Sequence, residues 1–398
     1  MMHLLVNSLA VSAGGGLTYI RNVVPQLAAR PDLRVTIVTT PAVSDELDRH
    51  SNIEFVKLDV APGGRPWYEQ ARLPALIRSR GADVLLSTGN FALRKSPVPQ
   101  ILLSRNSIYL SDDFYRDLRR RGEFRMWLDT HFRAMLAKRS IRWADATVAP
   151  SQAFAEELHR WTGRPVVAIH HGFDLEAFTA DPSPLTSELE KKLRSTDGSL
   201  RLLFVSHYNY YRNFETLIRS LLLLRDRIRD RPVRLLLTCR LRAGENPGSY
   251  QPTEAADLIK KLGVSDLVVE LGSIPYRQLH QLYKDADLYV TPAYTETFAH
   301  PLVEAMASGV PVVASDLAVH REICGDAAVY FPKFSPETLA ETVATVALSP
   351  EKMRSMSTIG LQRSQQFSWV AHVDGILKLC RTLLGVQNSA VVRAAVET

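Results

Sequence analysis

A chain of 398 residues exceeds what one ordinary hydrophobic core supports, so two domains are expected. With 46% hydrophobic and 23% charged residues and no low-complexity block, the composition excludes a fibrous or largely disordered protein. The formal charge of +6 permits an anionic partner such as a diphosphate or a lipid head group; a nucleic acid is not expected. Three cysteines, Cys239, Cys324 and Cys380, lack metal-ligand or CxxC spacing, which reads as buried thiols in a reduced, cytoplasmic protein. The start, MMHLLVNSLAVSAGGG, lacks the charged region of a secretory leader, and no window reaches the ~20 apolar residues that span a bilayer.

Short β-rich runs alternate with helical patterns throughout. In the first half the predicted strands are 3–9, 34–39, 53–58, 84–87, 100–104, 146–149 and 166–169. The rhythm restarts with strands at 201–206, 233–238, 267–271, 288–290, 310–314 and 328–331, and helices at 214–228, 254–262 and 278–286 between them. A polar stretch, 178–199, reads as the linker between the halves, and the tail after Leu384, with Val391, Val392 and Val396, shows no pattern. A last helix, 370–385, can cross back onto the first half. Strands alternating with helices imply two α/β, doubly wound parallel-sheet domains, whose ligands sit beyond the carboxyl ends of the strands.

The segment TPAYTETFAHPLVEAMASGVPVVAS, Thr291 to Ser315, carries most of the chemistry. A strand ends in a polar loop that turns into a short helix at Pro301, a residue suited to a first helical turn. Gly309 ends that helix, and another buried strand follows. The loop therefore aims a positive helix end at any ligand beside it, a seat for a diphosphate or for sugar hydroxyls. Glu296 in the loop and Glu304, expected in the first helical turn, offer paired acceptors for a vicinal diol; as isolated glutamates they would be an ordinary loop residue and a helix-dipole partner.

This segment resembles the Glu-x7-Glu signature of the retaining, GT-B-fold glycosyltransferases of family four, or group 1. The likeness extends through Phe298, His300-Pro301-Leu302, Glu304 to Ala307, Gly309, Pro311 to Ser315 and Glu322. It implies two Rossmann-like domains facing across a cleft: 1–175 for the acceptor and 200–369 for the donor. It further implies that Glu296 contacts the transferred sugar, that Glu304 binds the ribose diol, and that backbone N–H groups at Phe298, Ala299, His300, Pro301 and Leu302 hold sugar and phosphate oxygens. The family usually has glycine where Ala299 stands. An arginine and, five residues on, a lysine usually pair with the diphosphate; here those positions are His207 and Arg212. Arg212 keeps the charge in a form suited to phosphate, whereas His207 donates a hydrogen bond, or a proton to the leaving phosphate, only in a suitable protonation state. Arg240 and Arg242 either reach the phosphates or are surface charge, and backbone near Ile274 would hold the base. In the first half, Gly14-Gly15-Gly16 provides a turn where Gly15 and Gly16 can approach a ligand. Arg105 and Asn106 stand where many relatives have a histidine and are the acceptor-side candidates.

Between Asp113 and Trp143 runs a basic helical pattern in which Phe124, Trp127, Leu128, Phe132, Met135 and Leu136 recur. The ordinary reading makes that stripe core and the arginines a solvated face. The other reading is contact of 113–143 with the inner face of a membrane, suiting a lipid-linked acceptor.

The function expected is metal-independent, retaining transfer of a hexose, with mannose a candidate, from a nucleoside-diphosphate sugar to a hydroxyl on a saccharide or lipid-linked saccharide. No cofactor beyond that donor substrate is expected, and the setting is bacterial polysaccharide, lipopolysaccharide or glycolipid synthesis. The alternatives are a nucleotide-sugar epimerase or hydrolase on the same fold, or a non-catalytic sugar-nucleotide-binding partner.

Overall fold

In the computed structural model, which describes residues 1–11, 15–61 and 63–386, the apolar runs form two wholly parallel sheets. Gly14 and the tail valines Val391, Val392 and Val396 lie outside the described residues. The first sheet contains β1 (Met2–Asn7), β2 (Leu33–Thr39), β3 (Ile53–Lys57), β4 (Val84–Ser87), β5 (Gln100–Leu103), β6 (Ala146–Ala149) and β7 (Val167–Ala168), in the order β3-β2-β1-β4-β5-β6-β7. The second contains β8 (Leu200–Phe204), β9 (Val233–Leu237), β10 (Val268–Glu270), β11 (Leu288–Thr291), β12 (Val312–Ser315) and β13 (Ala328–Phe331), in the order β10-β9-β8-β11-β12-β13. All the strands predicted from sequence are present, with ends shifted by a residue or two. Runs such as Leu4-Leu5-Val6 and Val312-Val313-Ala314 are apolar without alternation because both faces of a parallel sheet are covered. Strand order reverses between β1 and β4 and between β8 and β11, the places where such sheets bind ligands.

The described residues divide into two compact units, 1–110 with 122–172 and 368–386, and 111–121 with 173–367. The chain therefore changes unit at four places rather than through one linker. The stretch 178–199 is not plain linker: Thr186 caps a helix Ser187–Arg194 whose Leu189 and Leu193 are buried in the second unit. The segment 111–121, inside the first half by sequence, packs with the second unit.

The last helix, Trp369–Val386, belongs to the first unit, where Trp369, Val373, Ile376, Leu377 and Cys380 join the core of β1, β2 and β4. His372 bridges the His170 carbonyl at 2.8 Å and the Tyr19 hydroxyl at 3.1 Å. Gly172 is required here: a Cβ would lie 2.0 Å from the Trp369 nitrogen.

The long helical pattern from 113 to 143 is two helices, Asp112–Arg120 and Phe124–Trp143. Gly122, at φ 73°, breaks it in the left-handed region. Ser111 caps the first helix, and Asp112 and Asp113 occupy its first turn, where carboxylates complement the dipole. The three cysteines are unpaired and buried, with burial pushing each thiol up to about 12. Among the described residues, no helix is long and apolar enough to cross a membrane.

Candidate functional site

The site is built in the second unit at the carboxyl ends of β8 and β11, which are paired in the sheet. After β8 the chain passes through a 3-10 turn, Tyr210–Arg212, and Asn213 at φ 56° then opens the helix Phe214–Arg227. After β11 comes the loop 292–299. Three hydrogen bonds fix the loop: Asn213 Nδ2 donates to the Pro292 carbonyl at 3.0 Å, the Tyr294 N–H to the Tyr211 carbonyl at 3.0 Å, and the Ser315 hydroxyl to the Ala293 carbonyl. His320, wholly buried, donates through Nδ1 to the Ser315 carbonyl at 2.8 Å and braces the same corner.

These ties bring Arg212 and Glu296 into an ion pair, with Arg212 donating to Glu296 Oε1. The other oxygen, Oε2, accepts from the Thr297 N–H at 3.2 Å, so the carboxylate is oriented. Burial works against the charge on Arg212, but Glu296, with Tyr211 and Tyr289, more than offsets it and keeps the guanidinium firmly protonated. Arg212 also lies 5.3 Å from the Tyr211 ring centre.

The helix His300–Ala307 follows the loop, so Glu304 falls in its second turn rather than the first expected from sequence. Glu304 is 3% exposed and accepts a hydrogen bond from the Tyr283 hydroxyl at 2.8 Å. Burial pushes its carboxyl up to about 7, with Tyr283 pulling the other way. Burial also raises the Tyr283 phenol well above its ordinary value, so Tyr283 remains the donor.

Pro301 lies in the first helical turn, and Leu302 closes it by donating to the Ala299 carbonyl at 3.0 Å. Ala299 itself has φ 63° and ψ 67°, the left-handed conformation that glycine adopts without strain and that costs an alanine about 1–2 kcal/mol. Its presence shows that the loop geometry is imposed by the surroundings. Phe298 is buried against the rings of His300 at 4.9 Å and Phe367 at 5.5 Å. The start of this helix and Glu296 thus share one corner.

His207 lies in the loop after β8, and partial desolvation together with Arg212 lowers its pKa, leaving it mostly neutral at pH 7. Ile274 is buried in the turn after Gly272. Arg240 packs over Gly272 and pairs with Glu188 and Glu245, each at 3.6 Å; Arg242 is 70% exposed and pairs with Glu245 at 3.9 Å. Both behave as surface charge. Among the described residues, no group of three His, Cys, Asp or Glu side chains could hold a metal ion.

In the first unit, Gly15 and Gly16 open the helix Gly15–Ala28. A Cβ at Gly15 would meet nothing within 4 Å, so its protein neighbours do not demand the small residue. Arg105 donates to the Gly15 carbonyl at 3.1 Å and the Thr88 carbonyl at 2.9 Å, and sits 4.9 Å from the Tyr19 ring centre. Asn106 caps the turn Ser107–Tyr109. Both residues therefore have local structural work. Sequence reasoning did not single out Tyr283, Asn213 or His320, which hold the site residues in place, and it gave Ser315 only as part of the likeness, without this role. The one available signal was Asn213 immediately before an apolar helix.

Two parallel-sheet α/β units of this strand order form the GT-B class of fold. The likeness to solved structures agrees: sucrose-phosphate synthase from Thermosynechococcus elongatus superposes with a TM-score of 0.76 at 19% identity, over 97% of this chain and 100% of that one. The Anabaena HepE protein, solved with UDP-glucose, gives 0.70 at 18% identity, over 96% of this chain and 100% of that one. The chain belongs to the family-four, group 1 glycosyltransferases, matching "Glycosyl transferases group 1" over residues 186–363 and "Glycosyltransferase Family 4" over residues 13–177. A D-inositol 3-phosphate glycosyltransferase of Segniliparus rotundus is 33% identical over 41% of this chain and 36% of its own length. The chain spans about half the length of the curated relatives it matches.

Proposed function

We propose that this chain transfers a hexose from a nucleoside-diphosphate sugar to an acceptor hydroxyl with retained anomeric configuration and without a metal ion. The observation that carries this reading is the Arg212–Glu296 pair beside the start of the helix that bears Glu304. Arg212 and the backbone N–H groups of the 298–302 turn neutralise the diphosphate. Glu304 accepts from the ribose diol, the backbone at Ile274 holds the base, and Glu296 positions the transferred sugar. The bond from C1 to the phosphate oxygen breaks and the acceptor oxygen bonds to C1 on the same face. The acceptor's proton passes to the departing phosphate, so a side-chain base is not needed, and His207 adds a hydrogen bond to the leaving group through the N–H of its neutral ring.

The UDP-glucose of HepE makes uridine donors the first to test, and the relatives' names bring polyol phosphates in beside saccharide and lipid-linked saccharide acceptors. The experiment incubates the chain with UDP-, GDP- and ADP-sugars and an acceptor panel, with and without EDTA, and reads product configuration by NMR. An α-configured product from an α-configured donor, formed in EDTA and lost in Glu296→Ala, is expected. Donor conversion without an acceptor would mean epimerisation or hydrolysis. Full turnover by Glu296→Ala would remove that residue from the chemistry, and nucleotide binding without turnover would make the chain a binding partner.

A further inference from the structure

The helix Phe124–Trp143 is amphipathic in the unexpected sense. Its buried face is made of Thr130, Ala134, Ala137, Ser140 and Ile141, mostly small side chains. These small residues let the helix lie close against the turn Ser107–Tyr109 and the helix Gln152–Thr162. The large apolar residues point out: Phe124, Leu128, Phe132 and Met135 are 62%, 63%, 57% and 42% exposed. Their spacing puts all four on one side of the helix, as an apolar stripe facing water. The stripe is thus not the core face that the ordinary reading of the sequence makes it. Rotating the helix to bury it would force phenylalanine into space fitted to alanine.

Charge accompanies the stripe. Arg139 and Arg142 fall on the same face at its C-terminal end, Arg125 lies at its edge, and all three are exposed. The exposed acid of this stretch, Asp129, is neutralised by Arg133 at 2.7 Å. The basic residues of the preceding helix do not contribute equally, because Arg120 and Arg121 are taken up by Asp117 and Glu254 in the second unit. The 113–143 segment therefore narrows to one face of the second helix.

We infer that this face seats on an anionic lipid bilayer, with Phe124, Leu128, Phe132 and Met135 entering the interface and Arg125, Arg139 and Arg142 meeting lipid phosphates. A lipid surface fits better than a second copy of the chain, which would bring a second set of the same arginines and no matching carboxylates. A helix lying in the interface needs this combination of a large apolar face and flanking cations. The inference does not depend on the reaction proposed above.

The test is flotation of the full chain with vesicles of phosphatidylcholine alone and of phosphatidylcholine with phosphatidylglycerol. Binding to the anionic vesicles only is expected. Phe124→Ser, Leu128→Ser and Met135→Ser combined should weaken it by about tenfold or more while leaving the unfolding midpoint in place, since these side chains are exposed. Arg125→Gln, Arg139→Gln and Arg142→Gln combined should remove most of its salt dependence. Absence of the wild type from the floated anionic fraction, or equal binding by the serine variant, would overturn the inference. Self-association in sedimentation that the serine variant abolishes, without vesicle binding, would assign the face to a second copy instead.

Discussion

Arg212 donates to Glu296 across 84 positions of sequence, and the pair joins the loop after β8 to the loop after β11. Each charge is the other's partner. A diphosphate would have to draw Arg212 away from Glu296, and the glutamate's own charge opposes its arrival. The two residues should therefore have opposite effects on nucleotide binding. Arg212→Ala is expected to weaken nucleoside-diphosphate binding by about tenfold or more, the loss of a charge-assisted hydrogen bond. Glu296→Gln should leave that binding equal or tighter while lowering the transfer rate. Calorimetric titration with the nucleoside diphosphate alone separates them; equal weakening in both variants would contradict the pairing argument.

If Glu304 binds the ribose diol as proposed, stability and nucleotide affinity should depend on pH in opposite directions. Its carboxyl is raised from 4.5 to about 7, so between those values the folded state holds a proton the unfolded chain has lost. The contribution of this group is full below 4.5 and is lost as pH rises through 7, a change of about 3 kcal/mol at most. Glu304→Gln should thus be more stable than wild type at pH 8 and close to it at pH 5, as read by urea unfolding. In the proposed donor complex the ribose diol is held by the ionised carboxylate as acceptor. Wild-type affinity for a nucleoside diphosphate should rise from pH 6 to pH 8 with proton release, and the glutamine variant should lose that component.

Ala299 offers a test of strain. Its left-handed backbone is costly because of the Cβ, while glycine there would lose more freedom on folding. The strain outweighs that loss, so Ala299→Gly should raise stability by about 0.5–1 kcal/mol, and Ala299→Val should lower it. Thermal unfolding of the two variants decides this, and a fall in both would mean that the alanine methyl is packed rather than strained.

The strands were readable because each is a short apolar run bounded by polar turns, and the Glu296–Glu304 segment because loop, proline, helix and glycine follow in sequence; the order of strands within each sheet was not, because it rests on pairings far apart in the chain. Contacts made only by folding were not. Periodicity marks a helix at 278–286 without saying that its Tyr283 faces Glu304. It also gives the apolar stripe of Phe124–Trp143 but not which side meets the core, since small residues carry little periodic signal. Gly122 could equally have been a tolerated helix interior residue. Nothing local to 111–121 reveals that its partners, Glu215, Glu254, Tyr294 and Lys333, lie far along the chain.

Arg121 shows what holds that segment in the second unit. Its side chain is 6% exposed and pairs with Asp117 at 2.9 Å, Glu215 at 2.8 Å and Glu254, with the Tyr210 ring centre 4.2 Å away. Three carboxylates converge on one buried cation, so burial opposes its charge while the acids more than restore it. Removing the cation leaves Asp117 and Glu215, both largely buried, beside Glu254, with Arg120 reaching Asp117 and Glu254 but not Glu215. Arg121→Ala is therefore expected to cost about 3–5 kcal/mol, well above an exposed ion pair, because uncompensated buried charge is the penalty. Arg121→Lys should recover part of it by keeping the charge without the fork. Urea unfolding would show the ranking wild type, lysine, alanine. A loss near that of an exposed pair for the alanine variant would mean that water reaches the three acids as readily as it reaches Arg120.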